Sequence, residues 1–219
     1  MAPNALNTHE STGFGITPKN PEALPAFQAT GGARRQEVIP PTNTRPVRVF
    51  SPDDSRFGLL TIRRRRLTAR GVQPIGTVQP VFEWFSVDGA VEPTPGARFF
   101  LAVPYLHAAR FQLFVDAFAQ AFPDRLTIRM LDNGGAHTSS QLTLPEHGRR
   151  RFLPPYGPEL NPIARVWRDL KDDVAWRQFA DLNAQQDDLT LLLQGDAAAT
   201  LPSLPGYPYR VEAIHALQV

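Results

Sequence analysis

Cysteine is absent from the 219 residues, which rules out disulfides and cysteine-ligated zinc and fits a reducing, cytoplasmic setting. Long apolar runs are absent too. No stretch approaches the roughly 18 to 20 residues that a membrane-spanning helix needs, so no membrane role is expected. The first residues lack a basic segment followed by an apolar one, and a secretion signal is not expected either. An excess of one charge sign is also missing. With 23 Lys and Arg against 21 Asp and Glu the formal charge is only +2, so attraction to a nucleic acid must come from local clusters. What is present, 42% hydrophobic and 20% charged residues, is the balance of a globular domain with one main core.

The chain divides near residue 45. Residues 1–45 are rich in Pro, Gly, Asn, Thr and Ala without apolar periodicity and read as a poorly ordered arm; residues 46–219 read as a folded domain. Val47 to Phe50 reads as a strand running into the acidic pair Asp53 and Asp54. Phe82 to Val91 and Arg98 to Val103 flank the turn-like Glu92-Pro93-Thr94-Pro95-Gly96, a hairpin pattern. Phe111, Phe114, Val115, Phe118 and Phe122 recur at helical spacing between Leu106 and Phe122. Leu126 to Leu131 is a strand that delivers Asp132 at its end, and a short strand is expected around Arg151-Phe152-Leu153 before Pro154. Asn161-Pro162 opens a helix, with Asn as N-cap and Pro in the first helical position. Ile163, Val166, Trp167, Leu170 and Val174 form its buried stripe, which assigns Trp167 to the core. A last helix covers about Leu182 to Leu193.

Two aspartates at the ends of separate strands, followed by a helix start, can converge on one metal site. Hard divalent ions such as Mg²⁺ favour carboxylate oxygens, and a metal pair can activate an attacking oxygen and stabilise a leaving one in phosphoryl transfer. Taken singly, each aspartate has a plainer reading: Asp53 as a turn or cap residue, Asp132-Asn133-Gly134-Gly135 as a tight turn. The downstream sequence lifts the metal-site reading of both. Phe152-Leu153-Pro154-Pro155-Tyr156-Gly157-Pro158-Glu159-Leu160-Asn161-Pro162-Ile163, followed by Trp167-Arg168-Asp169-Leu170-Lys171, strongly resembles the signature of the insertion-sequence-630 and mariner superfamily of DDE transposases. The resemblance extends to Leu131-Asp132-Asn133 with His137, to Asp53-Asp54-Ser55-Arg56-Phe57-Gly58, and to the Gly206-Tyr207-Pro208-Tyr209 ending.

That resemblance implies an α/β, ribonuclease-H-like mixed sheet flanked by helices, and a DNA transposase or endonuclease domain that cuts and joins phosphodiesters with two Mg²⁺ or Mn²⁺ ions. Asp53 matches the first catalytic acid and metal ligand, Asp132 the second, and position 164 the third. Position 164 normally carries Glu, and here it is Ala164. A methyl group cannot ligate a metal, so weak metal binding and impaired cleavage are expected. Glu159, on the proline-rich segment before the helix, is the nearest stand-in. As third helical residue, a Glu at 164 would also close a capping box with Asn161. The competing reading is a catalytically inactive DNA-binding remnant or domesticated module; a nuclease of the same fold acting on another nucleic acid is a third.

DNA is the expected partner. Arg63, Arg64, Arg65 and Arg66 are the leading phosphate contacts, with Arg70 and the Arg149-Arg150-Arg151 run as further basic surface, against the plainer reading of a solvated basic hairpin. Lys171 and His137 are added as nucleic-acid contacts on the family pattern, although a lone histidine is as often a satisfied structural residue. Family members usually carry N-terminal helix-turn-helix modules, and residues 1–45 lack the periodicity of such helices. A second copy of the chain and a separate helix-turn-helix module are the other candidate partners.

Overall fold

A computed structural model of the chain describes residues 38–64, 69–70, 75–92, 97–103, 110–132, 137, 140, 142–153 and 161–195. Among the described residues, five strands and three helices carry the architecture: β1 (Val47–Gly58), β2 (Trp84–Val91), β3 (Arg98–Val103), α1 (Arg110–Ala121), β4 (Leu126–Leu131), β5 (Gly148–Phe152), α2 (Ile163–Asp173) and α3 (Leu182–Gln194). The sheet order is β3-β2-β1-β4-β5. The first three strands form an antiparallel meander, and β4 and β5 then add in parallel, so the sheet is mixed. The parallel step requires a long crossover, which α1 supplies.

Each face of the sheet has its own cover. Phe50, Ala90 and Leu131 meet Phe111, Phe114, Val115 and Phe118 of α1. Phe50 and Phe118 lie edge to face, with centroids 4.9 Å apart. Burial of each such ring stabilises by roughly 1.5–3 kcal/mol. On the opposite face Phe57, Phe85, Val87 and Val91 meet the stripe expected of α2, namely Ile163, Val166, Trp167, Leu170 and Val174, together with Leu189 of α3. The packed region reaches back to Val38 and Ile39, which cover Val49, Ile128 and Met130. Among the described residues, no helix is long and apolar enough to cross a membrane.

Three details differ from the reading of the sequence. The first strand does not stop at Phe50: β1 continues to Gly58 because β2 pairs with it from Ser51 to Gly58, so Asp53 lies inside a strand. The last strand covers 148–152, earlier than expected, since β4 dictates its register from Thr127–Gly148 to Leu131–Phe152. Asn161 does not cap α2. The N-cap is Pro162, with no side-chain cap hydrogen bond, and position 164 is therefore the second helical residue and not the third. The capping-box geometry expected there is absent. By contrast α3 is capped conventionally, Asp181 accepting from Ala184 N at 2.8 Å. The expected helix start at Leu106 lies outside the described residues.

Candidate active site

The register of the two central strands brings the aspartates together. β1 and β4 pair in parallel from Val47–Leu126 to Phe50–Arg129, and Asp53 and Asp132 each lie three residues past that last rung. Asp53 is half-buried and Asp132 exposed. Burial pushes the Asp53 carboxyl up to about 6, reinforced by the negative charges of Asp54 and Asp132; the Asp54 amide and the charge of His137 act in the opposite direction. That amide donates to Asp53 Oδ1 at 2.9 Å. A carboxylate withdrawn from water and beside other carboxylates is a candidate cation ligand.

The start of α2 is pressed against this point. Gly89 is the cross-strand partner of Asp53, and a Cβ there would lie 2.8 Å from Ile163 Cδ1 and 2.7 Å from Phe100 Cδ1. A larger residue at 89 would have to displace the Phe100 ring and the end of Ile163, so glycine lets the first residue of α2 pack closely against the rung that holds Asp53. On the other side of the same turn Asn161 Nδ2 donates to Pro52 O at 3.3 Å. Ala164, the next residue of the helix, is exposed.

His137 is 8% exposed; its Nδ1 lies 2.6 Å from Asp132 Oδ1 and its ring packs 4.5 Å from that of Phe111. Its backbone oxygen accepts from Arg150 Nη1 at 3.2 Å. The histidine therefore meets Asp132 directly and orients it. Lys171 lies two turns along α2 from Ala164, half-buried, with Nζ 5.8 Å from the Phe57 ring centroid. Burial lowers its pKa and the charge of Arg64 lowers it further, while the charges of Asp53 and Asp54 raise it. Of the arginine run, Arg63 and Arg64 are exposed, and Arg64 Nε pairs with Asp172 Oδ1 at 2.5 Å. Arg65, Arg66 and Glu159 lie outside the described residues. Arg149 spends its Nη1 on the carbonyls of Glu146 and Gly148.

Asn161 and Gly89 escaped the reading of the sequence. An Asn before Pro reads as an N-cap, and nothing local announces a bond to a residue 109 positions away. Gly89 did leave a signal, since an isolated glycine inside a strand pattern marks a close approach.

Two hard carboxylates suit one divalent cation better than two. Among the described residues no group of three or more His, Cys, Asp or Glu is gathered to hold a metal. Asp53 and Asp132 would hold an ion between them. The methyl group of Ala164 adds nothing to that set.

The residues from 48 to 186 match the family model described as DDE superfamily endonuclease. That match covers well over half of the chain, and the chain belongs to this family. A Sinorhizobium fredii (strain NBRC 101917 / NGR234) relative, "Uncharacterized protein y4pE/y4sA", is 32% identical over 91 residues, which is 41% of this chain and 67% of the relative. Among solved structures, the Mos1 strand transfer complex aligns with a TM-score of 0.57 at 15% identity, covering 97% of this chain and 63% of the Mos1 chain. The Mos1 mariner paired end complex with Mn aligns at 0.54 and 14% identity, covering 97% and 67%. The chain thus spans about two thirds of the Mos1 chains it matches. The mixed five-stranded sheet with helices on both faces is the ribonuclease-H-like fold of those transposase chains.

Proposed function

We propose that this chain is the catalytic domain of a DDE-type DNA transposase or endonuclease, built to cut and join DNA phosphodiesters with divalent metal and impaired here by alanine at position 164. The observation that carries the reading is the meeting of Asp53, Asp132 and the start of α2 at one point of the sheet. That the Mos1 paired end complex is a complex with Mn supports the choice of ion. Divalent ions bound there would activate the attacking oxygen and stabilise the leaving one.

The chain's own residues divide the remaining work. Asp53 and Asp132 hold the ion, and His137 fixes the carboxylate of Asp132 through Nδ1. Lys171 presents an ammonium beside them, a point charge suited to a phosphate oxygen. Arg63 to Arg66 attract the backbone electrostatically. Two dications bring four positive charges against two carboxylates, so the second ion binds weakly and cleavage is slow. A second copy of the chain and a separate helix-turn-helix module are the partners we propose for reading DNA ends, in the cytoplasm. The second reading, a DNA-binding module without cleavage, is favoured by the bare methyl group at the mouth of the site.

The test is Ala164→Glu. As second residue of α2 the new carboxylate is favoured by the helix N-terminus without needing a capping box. Mn²⁺ affinity should rise by about tenfold or more, since affinity of such sites follows ligand charge count. Mn²⁺-dependent nicking of supercoiled DNA should appear, and Asp132→Asn should abolish it. Vigorous nicking by the unmodified chain would overturn the impairment, and unchanged Mn²⁺ affinity in Ala164→Glu would overturn the role of position 164.

A further inference from the structure

Where β1 and β4 part, the hydrogen-bond ladder between them passes from backbone to side chain. Leu126 N donates to Pro46 O at 3.0 Å, and in a parallel ladder every second carbonyl of β1 faces the same neighbour. Arg48, Phe50 and Pro52 continue that series, but the paired rungs end at Phe50–Arg129. The Pro52 oxygen, next in line and directly before Asp53, takes its hydrogen bond from Asn161 Nδ2. Asn161 therefore enters at the fork between the two aspartate-bearing strands.

The bond also fixes which way the amide faces. Only the NH₂ end can meet a carbonyl, so Asn161 Oδ1 is turned away from Pro52 O. It is buried there with no hydrogen-bond partner among the described residues, in a side chain 8% exposed. Burying an acceptor without a donor is unfavourable, and this group is kept in place despite it. One residue beyond Pro162, Ile163 sits over Gly89, the partner of Asp53. The first turn of α2 is thus fastened on both sides of Asp53.

We infer that Asn161 is a positioning residue: its side-chain amide holds the fork between β1 and β4 and sets the start of α2, and with it position 164, against Asp53. The consequence for metal binding rests on the proposed function; the clamp itself does not.

The experiment measures Mn²⁺ affinity by electron paramagnetic resonance and amide hydrogen exchange in the full chain, for Asn161→Leu, which removes the donor, and Asn161→Asp, which keeps the shape and replaces the donor with oxygen. Both variants should weaken Mn²⁺ binding by about tenfold, the scale of losing a group that orients ligands. Exchange at the amides of Met130, the last β4 amide before the fork, and of Ala164 should quicken by a similar factor while Val87 and Leu101 of the outer hairpin keep their rates. Tighter Mn²⁺ binding by Asn161→Asp would overturn the inference, because it would mean that position 161 gives an oxygen to the ion. Unchanged exchange at Met130 would overturn it as well. Should Asn161→Leu fail to fold, Asn161→Ser shortens the side chain without adding bulk, and the same exchange pattern is expected of it. If the unmodified chain binds no Mn²⁺, the metal reading fails alone, and the exchange rates still decide the clamp.

Discussion

Glu92 and Asp53 are carboxylates of the same meander, both withdrawn from water, and they sit in opposite circumstances. Glu92 closes the end of the β2–β3 hairpin: it forms a two-pronged ion pair with Arg48 and accepts from Ala97 N at 3.2 Å. Arg48 in turn lies 5.5 Å from the Phe50 ring centroid and 5.6 Å from that of Phe122. Asp53 has the carboxylates of Asp54 and Asp132 near it, opposed by His137, and only a backbone amide bonds it among the contacts described. Burial with a partner serves the fold, and burial among like charges is where the proposed function places a ligand. The same residue chemistry becomes structural or functional according to what stands beside it.

Breaking the satisfied end should produce the larger loss. Glu92→Ala removes both prongs of the ion pair and leaves Arg48 and the Ala97 amide without their acceptor. We expect a loss of about 2–3 kcal/mol in urea unfolding, at the lower end of buried pairs because Arg48 keeps some access to water. A loss below about 0.5 kcal/mol, the level of exposed pairs, would mean that the two ends do not differ as argued.

Relieving the unsatisfied end should do the reverse. The folded-state pKa of Asp53, about 6, lies above the ordinary 3.8, so the folded protein holds this proton more tightly than the unfolded chain. The resulting stabilisation is fully present below pH 3.8 and is lost as pH rises through about 6. Asp53→Asn, which stays neutral, should be more stable than the unmodified protein by about 1–3 kcal/mol at pH 8 and equal to it near pH 3.5, while losing Mn²⁺ binding. A constant difference across that range would remove Asp53 as the source.

A third buried charge extends the contrast to the basic side. Arg129 is 1% exposed, its three side-chain nitrogens have no hydrogen-bond partner among the described residues, and Phe118 stands 5.9 Å from its guanidinium. Burial pulls its pKa down to about 10, and the nearby Arg150 contributes. Arg129→Met should therefore stabilise by about 1 kcal/mol, because an apolar side chain of similar length avoids the desolvation. A marked loss in thermal unfolding would point to a partner for this guanidinium.

These contrasts mark how far the sequence could be read. The stripe Ile163, Val166, Trp167, Leu170 and Val174 was legible because helical period alone decides which face is buried. The two aspartates and position 164 were singled out through the motif, and the placing of the aspartates past the last β1–β4 rung depends on a strand register that no local pattern encodes. The length of β1 was hidden because its extension past Phe50 is imposed by pairing with β2. Asn161 was misassigned because cap preference is a local rule, whereas here Nδ2 is held by a long-range acceptor, Pro52 O, and Oδ1 takes no amide of the helix. Arg64 was legible as a charge but not as half of a pair.

That pair should give the smallest effect on stability and the most informative one on binding. Arg64 and Asp172 are 42% and 51% exposed, and Trp176 Nε1 anchors the backbone oxygen of Arg64, not its side chain. Arg64→Ala should then cost no more than about 0.5 kcal/mol, the range of exposed ion pairs, because the segment stays fastened through the indole. If Arg64 also meets a DNA phosphate, its loss should reduce the slope of log affinity against log salt by about 0.9. Asp172→Ala separates the two roles. It frees the guanidinium and removes a negative charge from the surface that DNA would approach, so a DNA-facing Arg64 predicts tighter binding at low salt in this variant. Unchanged affinity in both variants would leave Arg64 as a surface ion pair alone and move the phosphate contact to other members of the run, beginning with the exposed Arg63.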